Sequence, residues 1–451
     1  MSPARPPSSR AAALQVLCRA EQSNKPIDAS IRRYAEKLSP ADRQLLVNIV
    51  YGVLRNRDYL DFIAGRFSRH PLRGMKDRTR NALRIGIYQL LFLSRIPASA
   101  AVNETVAALK AYKQPRWLIG FVNGVLRNIS RNAATLPRPD QATLKGRPIL
   151  NHPSWLVKRW QARYGRDQTL EICRHNNRPP RLVLRVNRER TDLSSLMHGF
   201  QEQGIDVEPG RFAPDSLVLP GFTGAVTTLP GFAEGFFQVQ DQAAQLIVPL
   251  FGPIPSGARL LDACAGLGGK TTHLAALMPE GRELVAVEPE ARRFTLLQEN
   301  LRRLHVEQRV CCRHCSLQDY AQRHRGHFWG ILIDAPCSGT GVIGRHPDIR
   351  WNRQPGDLRR YQRQQRALLD QAAALLTPGG VLVYATCSLE GEENEEVIFR
   401  FLRDHPGYEL DDCRLYLPEQ ARSLVTEHGF FATTPAQGLD GFFAARLQQR
   451  N

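Results

Sequence analysis

Three residues able to do covalent or acid–base chemistry follow two apolar segments of this sequence. Asp334 and Cys337 lie in DAPCSGTG, after the apolar run WGILI, and Cys387 lies in YATCS, after a second apolar run. Ligands of parallel α/β sheets bind outside the carboxyl ends of the strands, so these side chains are expected to meet in one crevice. A lone buried cysteine is usually a small hydrophobic residue. Two thiols at neighbouring strand ends instead favour nucleophilic chemistry by a thiolate.

A glycine-rich turn lies earlier in the chain, in LLDACAGLGGKTTHL (260–274). A strand that ends at Asp262, followed by glycines and a helix beginning near Lys270, lets the backbone approach a ligand closely. The next strand, ELVAVEP, ends at Glu288, where an acid is placed to accept hydrogen bonds from ribose hydroxyls. Dinucleotide-dependent enzymes and methyltransferases share this layout. GLGGKT lacks the glycine spacing of a P-loop.

The cysteines also raise the question of a metal. CCRHC contains Cys312 and Cys315 with His314 between them, but no second ligand pair follows at zinc-site spacing. No metal site is predicted. The nine cysteines have no framework spacing and indicate free thiols in a reducing cytoplasm.

The elements that position these motifs alternate from residue 241 onward. ARLLDACAG, ELVAVEP, VCCRHC, FWGILIDAPC and GGVLVYATCS predict strands separated by helices, with a late strand in DGFFAARLQQ. DQAAQLIVPLF predicts a helix at the start. This order predicts a parallel, doubly wound sheet.

The first 135 residues have a different character. Residues 8–130 repeat apolar residues at helical spacing, which predicts an all-α bundle with arginines on its outer faces. Residues 1–135 carry 23 Lys and Arg against 8 Asp and Glu, so they hold +15 of the total net charge of +18. This imbalance favours a polyanionic partner such as nucleic acid.

The chain is therefore predicted to be multidomain. Residues 1–135 form the helical domain, the proline-rich stretch 136–150 a linker, 151–240 a small α+β domain and 241–451 the α/β domain. No apolar run is long enough for a membrane span, and MSPARPPSSR lacks the apolar core of an export signal.

LLDACAGLGGKTTHL, LIDAPCSGTGVIGRHPDIRW and LVYATCSLEGEENEEV resemble, in this order, the motifs of RNA cytosine-5 methyltransferases of the NOL/NOP/Sun class. The resemblance covers almost the whole chain. The basic helical segment resembles the NusB-type RNA-binding domain that members acting on small-subunit (16S) ribosomal RNA carry before a Rossmann-like catalytic domain.

The resemblance implies S-adenosylmethionine as the methyl donor, RNA as the partner and a role for each motif residue. Cys387 would be the nucleophile that attacks carbon 6 of cytosine, Cys337 would release the product, and Asp334 would position the base beside the cofactor. Glu288 would hold the ribose hydroxyls. The remaining cofactor-binding residues would be Cys264, Ala265, Gly266, Leu267, Gly268, Gly269 and Lys270.

The sequence departs from the family pattern at three places. The family's turn is usually CAAPGGKT, whereas this chain has CAGLGGKT, with Leu267 in place of proline. The ribose acid is glutamate instead of the commoner aspartate. After the third strand, where the family usually has an acid near the adenine, RHCSLQD has none before Asp319, and His314 or Cys315 occupies the position.

The sequence also fits other interpretations. The same chemistry on transfer RNA or another ribosomal site fits the motifs, and so does a non-catalytic RNA-binding assembly factor. A dinucleotide-dependent oxidoreductase leaves the thiol pair unexplained. Five residues in the loop after Cys337 are candidate RNA contacts: Arg345, His346, Asp348, Arg350 and Trp351. No protein partner is inferred.

Overall fold

A computed structural model of the protein describes residues 8–22, 26–278, 283–324 and 327–450. Residues 1–7 of the predicted helical domain, and most of the N-terminal MSPARPPSSR stretch, lie outside the described residues. The chain forms two compact units. Unit 1 runs to Pro179 and includes Ile343–Arg353, and unit 2 comprises Pro180–Val342 and the chain from Gln354 onward.

Unit 1 is helical, as its apolar spacing predicts. Its elements are α1 (Ser9–Ala20), α2 (Ile27–Ala35), α3 (Pro40–Arg55), α4 (Arg57–Phe67), α5 (Asp77–Phe92), α6 (Ala98–Ala111), α7 (Arg116–Asn132), the two-residue strands β1 (Thr143–Leu144) and β2 (Arg147–Pro148), α8 (Ser154–Tyr164) and α9 (Arg166–Asn176). Ser39 caps α3 by accepting from the N–H of Asp42, and Pro40 occupies the first helical position. The boundary at Pro179 places α8 and α9, which belong to the predicted 151–240 domain, in unit 1.

Some arginines of the bundle lie in its interior instead of on its outer faces. Arg84 is buried, and its guanidinium pairs with Glu21 at 2.6 Å and Asp61 at 2.7 Å. Arg55 is also buried. Not all cationic groups of the bundle are therefore available on its surface, because buried arginine needs carboxylate or carbonyl partners.

Unit 2 begins with a small antiparallel sheet. Its elements are β3 (Leu182–Val186), α10 (Leu193–Glu202), β4 (Glu208–Pro209), β5 (Ser216–Leu219) and β6 (Phe237–Val239), in the strand order β4-β5-β3-β6. Phe200 of α10 and Phe237 of β6 meet edge-to-face in a core of their own.

The rest of unit 2 is an α/β domain. Its elements are α11 (Gln242–Gln245), β7 (Leu260–Asp262), α12 (Gly269–Leu277), β8 (Leu284–Val287), α13 (Ala291–Arg303), β9 (Val310–Arg313), α14 (Leu317–Arg323), β10 (Phe328–Asp334), α16 (Pro355–Ala373), β11 (Leu376–Thr386), α17 (Glu395–Asp404), β12 (Tyr408–Asp411), β13 (Phe431–Ala432) and β14 (Phe443–Gln449). Helix α15 (Ile349–Asn352) lies between β10 and α16 in the chain but belongs to unit 1. The helix predicted over DQAAQLIVPLF is only α11 and a 3₁₀ turn, since Pro249 breaks regular helix.

The large sheet has the order β12-β14-β11-β10-β7-β8-β9, with β13 paired to β14. Strands β11, β10, β7, β8 and β9 are parallel, and β14 is antiparallel to its neighbours. The chain proceeds from β7 to β8 and β9 on one side and returns to β10 and β11 on the other. The strand order thus reverses between β7 and β10, where α/β sheets open their ligand crevice.

No helix among the described residues is both long and apolar enough to cross a membrane.

Candidate active site

The carboxyl ends of β7, β8, β10 and β11 lie at one edge of the large sheet. Asp334 is in register with Ala385, and Asp262 is in register with Leu332. Glu288 directly follows β8, and Cys387 directly follows β11. The side chains that the sequence pattern singled out for chemistry are therefore carried by the same edge.

The two cysteines are in direct contact. Cys337 Sγ lies 3.3 Å from Cys387 Sγ, and the main-chain N–H of Gly341 donates to the carbonyl oxygen of Cys387 at 3.0 Å. The hydrogen bond with Cys387, together with burial, raises the pKa of the Cys337 thiol well above its usual range. Two thiolates this close would repel each other, so the pair carries at most one negative charge at neutral pH, and Cys337 keeps its proton.

A contact between two glycines fixes the loop that carries Cys337. The N–H of Gly441 donates to the carbonyl oxygen of Gly341 at 2.8 Å. A Cβ on Gly341 would lie 2.0 Å from the carbonyl oxygen of Gly441, well inside the limit for real contacts. Glycine is required here by the close approach of two backbones.

Asp334 is paired with a lysine from the glycine-rich turn. Lys270 Nζ lies 2.6 Å from Asp334 Oδ2 and 5.0 Å from the centre of the Phe442 ring. Lys270 is buried in the first turn of α12, where the helix dipole disfavours a cation. The carboxylate of Asp334 compensates that charge and connects the turn to the end of β10.

Asp262 stabilises the glycine-rich turn through hydrogen bonds. This fully buried carboxylate accepts from Thr271 Oγ1 at 2.7 Å and from the N–H of Cys264 at 3.3 Å. Burial raises the pKa of Asp262 to about 6. Gly266 and Gly268 have φ of 58° and 86°, the left-handed region in which glycine is strongly favoured.

Glu288 connects the turn to the second strand. One carboxylate oxygen accepts from the N–H of Gly266 at 2.9 Å and the other from the N–H of Glu290 at 2.8 Å. Each oxygen keeps a further lone pair for a ribose hydroxyl. No atom lies within 4 Å of a Cβ built on Gly266, and the Leu267 side chain is 49% exposed, so the turn is open on this side.

These residues fit S-adenosylmethionine. Glu288 offers acceptors for the ribose, the turn and the N-terminus of α12 offer N–H donors for a carboxylate, and Asp334 offers negative charge for the cationic end. When bound, the cofactor supplies a methyl group on a positively charged sulfur.

Known families match this chain along most of its length. The family described as 16S rRNA methyltransferase RsmB/F matches residues 253–448, the NusB family residues 7–131, and the RsmF/B-like ferredoxin-like domain residues 152–225. The "Probable ribosomal RNA small subunit methyltransferase B" of Bacillus subtilis is 33% identical, over 98% of this chain and 99% of that protein. The "Ribosomal RNA small subunit methyltransferase B" of Pseudomonas putida is 37% identical, over 97% and 98%.

The chain belongs to the RsmB/F family of 16S rRNA methyltransferases. Its fold agrees with solved structures. The structure of PH0851 aligns over 100% of both chains with a TM-score of 0.77 at 24% identity. A methyltransferase homologue protein from Pyrococcus horikoshii aligns over 66% of this chain and 96% of that one, with a TM-score of 0.55 at 27% identity. The predicted NusB-like bundle, small α+β domain and Rossmann-like methyltransferase domain are confirmed, the middle domain being ferredoxin-like.

No acid follows β9 before Asp319, although the sequence resemblance implied one near the adenine. His314 follows β9, stacks on Phe294 at 4.9 Å between ring centres, and has Nε2 3.2 Å from the carbonyl oxygen of Pro289. Asp319 accepts from Ser316 Oγ at 2.6 Å in the capping box of α14. The nearest acid in the sequence therefore caps a helix, and His314 lies beside the loop that follows Glu288.

The loop after Cys337 has a structural role that the prediction of RNA contacts did not include. Arg350 is fully buried in unit 1 and donates to Asn151 O at 2.9 Å, Asn177 Oδ1 at 2.6 Å and Asn176 O at 2.8 Å. A guanidinium with these partners cannot reach RNA in this conformation, so the prediction for Arg350 is wrong.

Two neighbours of Arg350 also make structural contacts within unit 1. Trp351 Nε1 donates to Leu54 O at 2.8 Å, and the guanidinium of Arg57 lies 4.5 Å from the Trp351 ring centre. Asp348 is buried and accepts from the N–H of Ile27 at 3.2 Å. Of the five candidates, His346 is exposed and Arg345 is half-buried, like Trp351, and the RNA contacts of Arg345 and His346 remain predictions.

The sequence pattern missed one residue beneath the thiols. Glu393 lies in LEGEENEEV, a motif used for the family resemblance, yet no role was assigned to it. It is fully buried, although it belongs to a run of acidic residues, which normally predicts exposure to solvent. The available signal was its position shortly after the YATCS strand end.

Proposed function

We propose that the protein methylates carbon 5 of a cytosine in small-subunit (16S) ribosomal RNA, with S-adenosylmethionine as the donor. The observation that carries this proposal is the thiol pair, with 3.3 Å between Cys337 Sγ and Cys387 Sγ at the carboxyl ends of adjacent strands. Carbon 5 of cytosine is a weak nucleophile, and addition of a thiolate at carbon 6 makes it enamine-like. The thiol pair therefore supports methylation at carbon 5.

Cys387 is the proposed nucleophile. Its thiolate forms a bond to carbon 6, and the electrons of the 5,6 double bond move to carbon 5. Carbon 5 then bonds to the methyl group, whose bond to the positively charged sulfur of the donor would break and leave its electron pair on that sulfur. The neighbouring Cys337 thiol stabilises the thiolate before attack, because a protonated sulfur 3.3 Å away donates a hydrogen bond to it.

Cys337 acts in the release step. The pKa of Cys337 is raised first of all by its hydrogen bond with Cys387. Once Cys387 is bonded to carbon 6 it is no longer a thiolate, so this cause of the raised pKa is lost. Cys337 then gives its proton to solvent and accepts the proton of carbon 5. The electrons of that C–H bond restore the 5,6 double bond and expel the Cys387 thiolate.

Asp334 positions the base. Because Lys270 lies 2.6 Å from it, Asp334 acts as a carboxylate, which accepts hydrogen bonds only. The exocyclic amino group of cytosine is a donor, and uracil has a carbonyl oxygen in its place. This pairing favours cytosine over uracil and orients the ring between the thiols and the cofactor turn. An unpaired or flipped base is required to reach it.

We also propose that the predicted division of the chain reflects division of labour. Residues 1–135 bind RNA through their basic surface, and residues 136–150 link them to the rest of the chain. Residues 151–240 form a supporting domain, and residues 241–451 catalyse methyl transfer. The names of the curated relatives support small-subunit ribosomal RNA as substrate, and a cytoplasmic location follows from that substrate.

The test uses Cys387→Ala and Cys337→Ala with labelled S-adenosylmethionine and unmodified small-subunit RNA. Cys337→Ala is expected to accumulate a covalent RNA–protein adduct, seen as a shifted band on a denaturing gel, because attack proceeds and release fails. Cys387→Ala is expected to form neither adduct nor 5-methylcytosine. Cys312→Ala, on strand β9, is the control and should behave as the wild type.

Adduct formation by Cys387→Ala but not by Cys337→Ala would reverse the assignment. Label on transfer RNA alone would show that the substrate is transfer RNA instead of small-subunit ribosomal RNA. Absence of label on every RNA, with cofactor binding shown by calorimetry, would favour a non-catalytic RNA-binding assembly factor, an alternative suggested by the missing acid after β9.

A further inference from the structure

Glu393 lies immediately beneath the two cysteine loops. One carboxylate oxygen accepts from the N–H of Ser338 at 2.8 Å, and the other accepts from Ser338 Oγ and from Ser388 Oγ, the latter at 2.6 Å. Gln365 Nε2 donates to the first oxygen at 3.1 Å. Glu393, Ser338, Gln365 and Ser388 are all buried.

The two serines directly follow the two cysteines in the sequence. Ser338 follows Cys337 and Ser388 follows Cys387. Their hydroxyl oxygens lie 3.1 Å apart, close to the 3.3 Å that separates the two sulfurs. A single carboxylate bound to both serines therefore fixes the distance between the loops, and with it the distance between the thiols.

The surrounding residues hold Glu393 in place. Tyr384 donates its hydroxyl to the carbonyl oxygen of Glu393 at 2.7 Å, and Gln365 also donates to Pro336 O at 3.0 Å. Asn394 accepts from Thr386 Oγ1 at 2.6 Å and donates to the carbonyl oxygen of Ser388 at 2.9 Å. Gln365 of α16 thus holds the carboxylate and Tyr384 of β11 holds the main chain of Glu393, so the side chain has little freedom to follow a moving loop.

Its charge also bears on the thiols. All four groups that bind the carboxylate act as donors, the arrangement that suits an ionised glutamate. Burial raises the pKa of Glu393, and the donors oppose that effect. The titratable groups that face Cys337 are Cys387, Glu393 and Tyr384, and the negative charge of Glu393 contributes to the raised pKa of Cys337.

We propose that Glu393 is a positioning residue of the thiol pair: it holds the loops of Cys337 and Cys387 at reacting distance and keeps the proton of the pair on Cys337. This inference rests on the proposed function for the roles of the two thiols. Glu393 itself touches neither the base nor the cofactor turn, and acts through Ser338 and Ser388.

The informative variant is Glu393→Gln, which keeps the length of the side chain and removes the charge. Its amide oxygen can accept from the N–H of Ser338 and from Gln365, and its amino group can donate to the two serine hydroxyls, which rotate to accept. The loops should stay in place. Glu396→Gln, on an exposed residue of α17, is the matched control.

The first measurement is independent of RNA. Protein is pulsed with iodoacetamide between pH 7 and pH 12, and alkylation of the Cys337 and Cys387 peptides is quantified by mass spectrometry. Loss of the charge should lower the pH midpoint for Cys337 by about one unit. Glu396→Gln should leave it unchanged.

The second measurement is single-turnover methylation of small-subunit RNA at pH 7.5. A proton that is shared more evenly leaves less Cys387 thiolate, so Glu393→Gln should slow adduct formation about tenfold, with an unchanged KM for S-adenosylmethionine. Ser388→Ala keeps the charge and removes one connection. It should slow adduct formation without moving the Cys337 midpoint, which separates positioning from charge.

Wild-type alkylation and wild-type adduct rates in both Glu393→Gln and Ser388→Ala would overturn the proposal. If Glu393→Gln does not fold, judged by circular dichroism and thermal unfolding, the adduct rate of Ser388→Ala decides. If the wild type methylates no RNA, the proposed function fails, while the alkylation profiles still test whether Glu393 controls the thiol pair.

Discussion

The two halves of the candidate site are held together by different means. The conformation of the cofactor half, residues 262–270 with Glu288, is stabilised mainly by main-chain N–H donors and by glycines at positive φ. The base half, residues 334–341 and 387–394, is closed by buried side chains bound to Glu393 and by two glycine backbones in contact. The cofactor half therefore depends on backbone conformation, whereas the base half depends on side-chain reach and close packing.

The largest effect is expected from a single methyl group in the base half. In Gly341→Ala the new Cβ would lie 2.0 Å from the carbonyl oxygen of Gly441, so the backbone of the Cys337 loop or of Gly441 must shift. Since a displacement of about 1 Å in a reacting group costs on the order of 100-fold in rate, methylation should fall by at least about 100-fold. Single-turnover methylation and the yield of covalent adduct measure the loss.

Gly266→Ala is the matched change in the cofactor half. This residue has φ of 58°, but nothing lies within 4 Å of the added Cβ, so the cost is backbone strain alone, about 1–2 kcal/mol. That strain should appear as a higher Kd for S-adenosylmethionine with adduct chemistry retained at saturation. Equal losses of adduct chemistry in the two variants would show that the halves do not differ as described.

A smaller effect, with a pH signature, is expected at Thr271. Its hydroxyl donates to Asp262, whose pKa burial raises to about 6 from a usual value of 3.8. A raised pKa means that the folded state binds the proton more tightly, so this contribution to stability is complete below about pH 4 and is lost as the pH rises through 6. Thr271→Val removes a donor that favours the ionised form and should deepen that loss.

Relative to wild type, Thr271→Val should therefore lose about 1–3 kcal/mol of unfolding free energy at pH 8 and less at pH 5. Urea unfolding at the two pH values gives the comparison. Thr295→Val is the control, because Thr295 is exposed on α13 and its hydroxyl donates to a carbonyl oxygen. A pH-independent loss in Thr271→Val would contradict the pairing with an ionised Asp262.

Strand ends were the part of the site most accessible to sequence reasoning. Asp334, Cys387 and Glu288 follow apolar runs whose β-α order dictates a parallel sheet, and such sheets bring their carboxyl ends to one edge. The fold classes of all three domains were predictable for the same reason, since apolar periodicity determines which face of each element is buried.

What the sequence did not reveal depends on contacts between distant segments. Glu393 and Arg350 carry charges, and charged residues in polar stretches are normally solvated, so their complete burial could not be expected. Both are buried because partners far along the chain satisfy them: the Ser338 loop for Glu393, and the carbonyl groups of Asn151 and Asn176 for Arg350. Local patterns contain no information about such partners.

The smallest effect is expected from Leu267→Pro, which restores the family's usual proline to the turn. The main-chain N–H of Leu267 has no hydrogen-bond acceptor among the described residues, so proline removes no bond of the turn. Asn300 Nδ2 donates to the carbonyl oxygen of Leu267 at 2.8 Å, a contact that proline retains. Because proline restricts the unfolded chain, the variant should gain about 0.4–1 kcal/mol of unfolding free energy and bind S-adenosylmethionine up to about threefold more tightly. Calorimetric titration and thermal unfolding measure the two quantities.

Since the proline acts only on the cofactor half, the adduct rate at saturating cofactor should not change. A change in that rate would mean that the conformation of the turn is transmitted to the thiols, by way of the Lys270–Asp334 ion pair that joins the two halves.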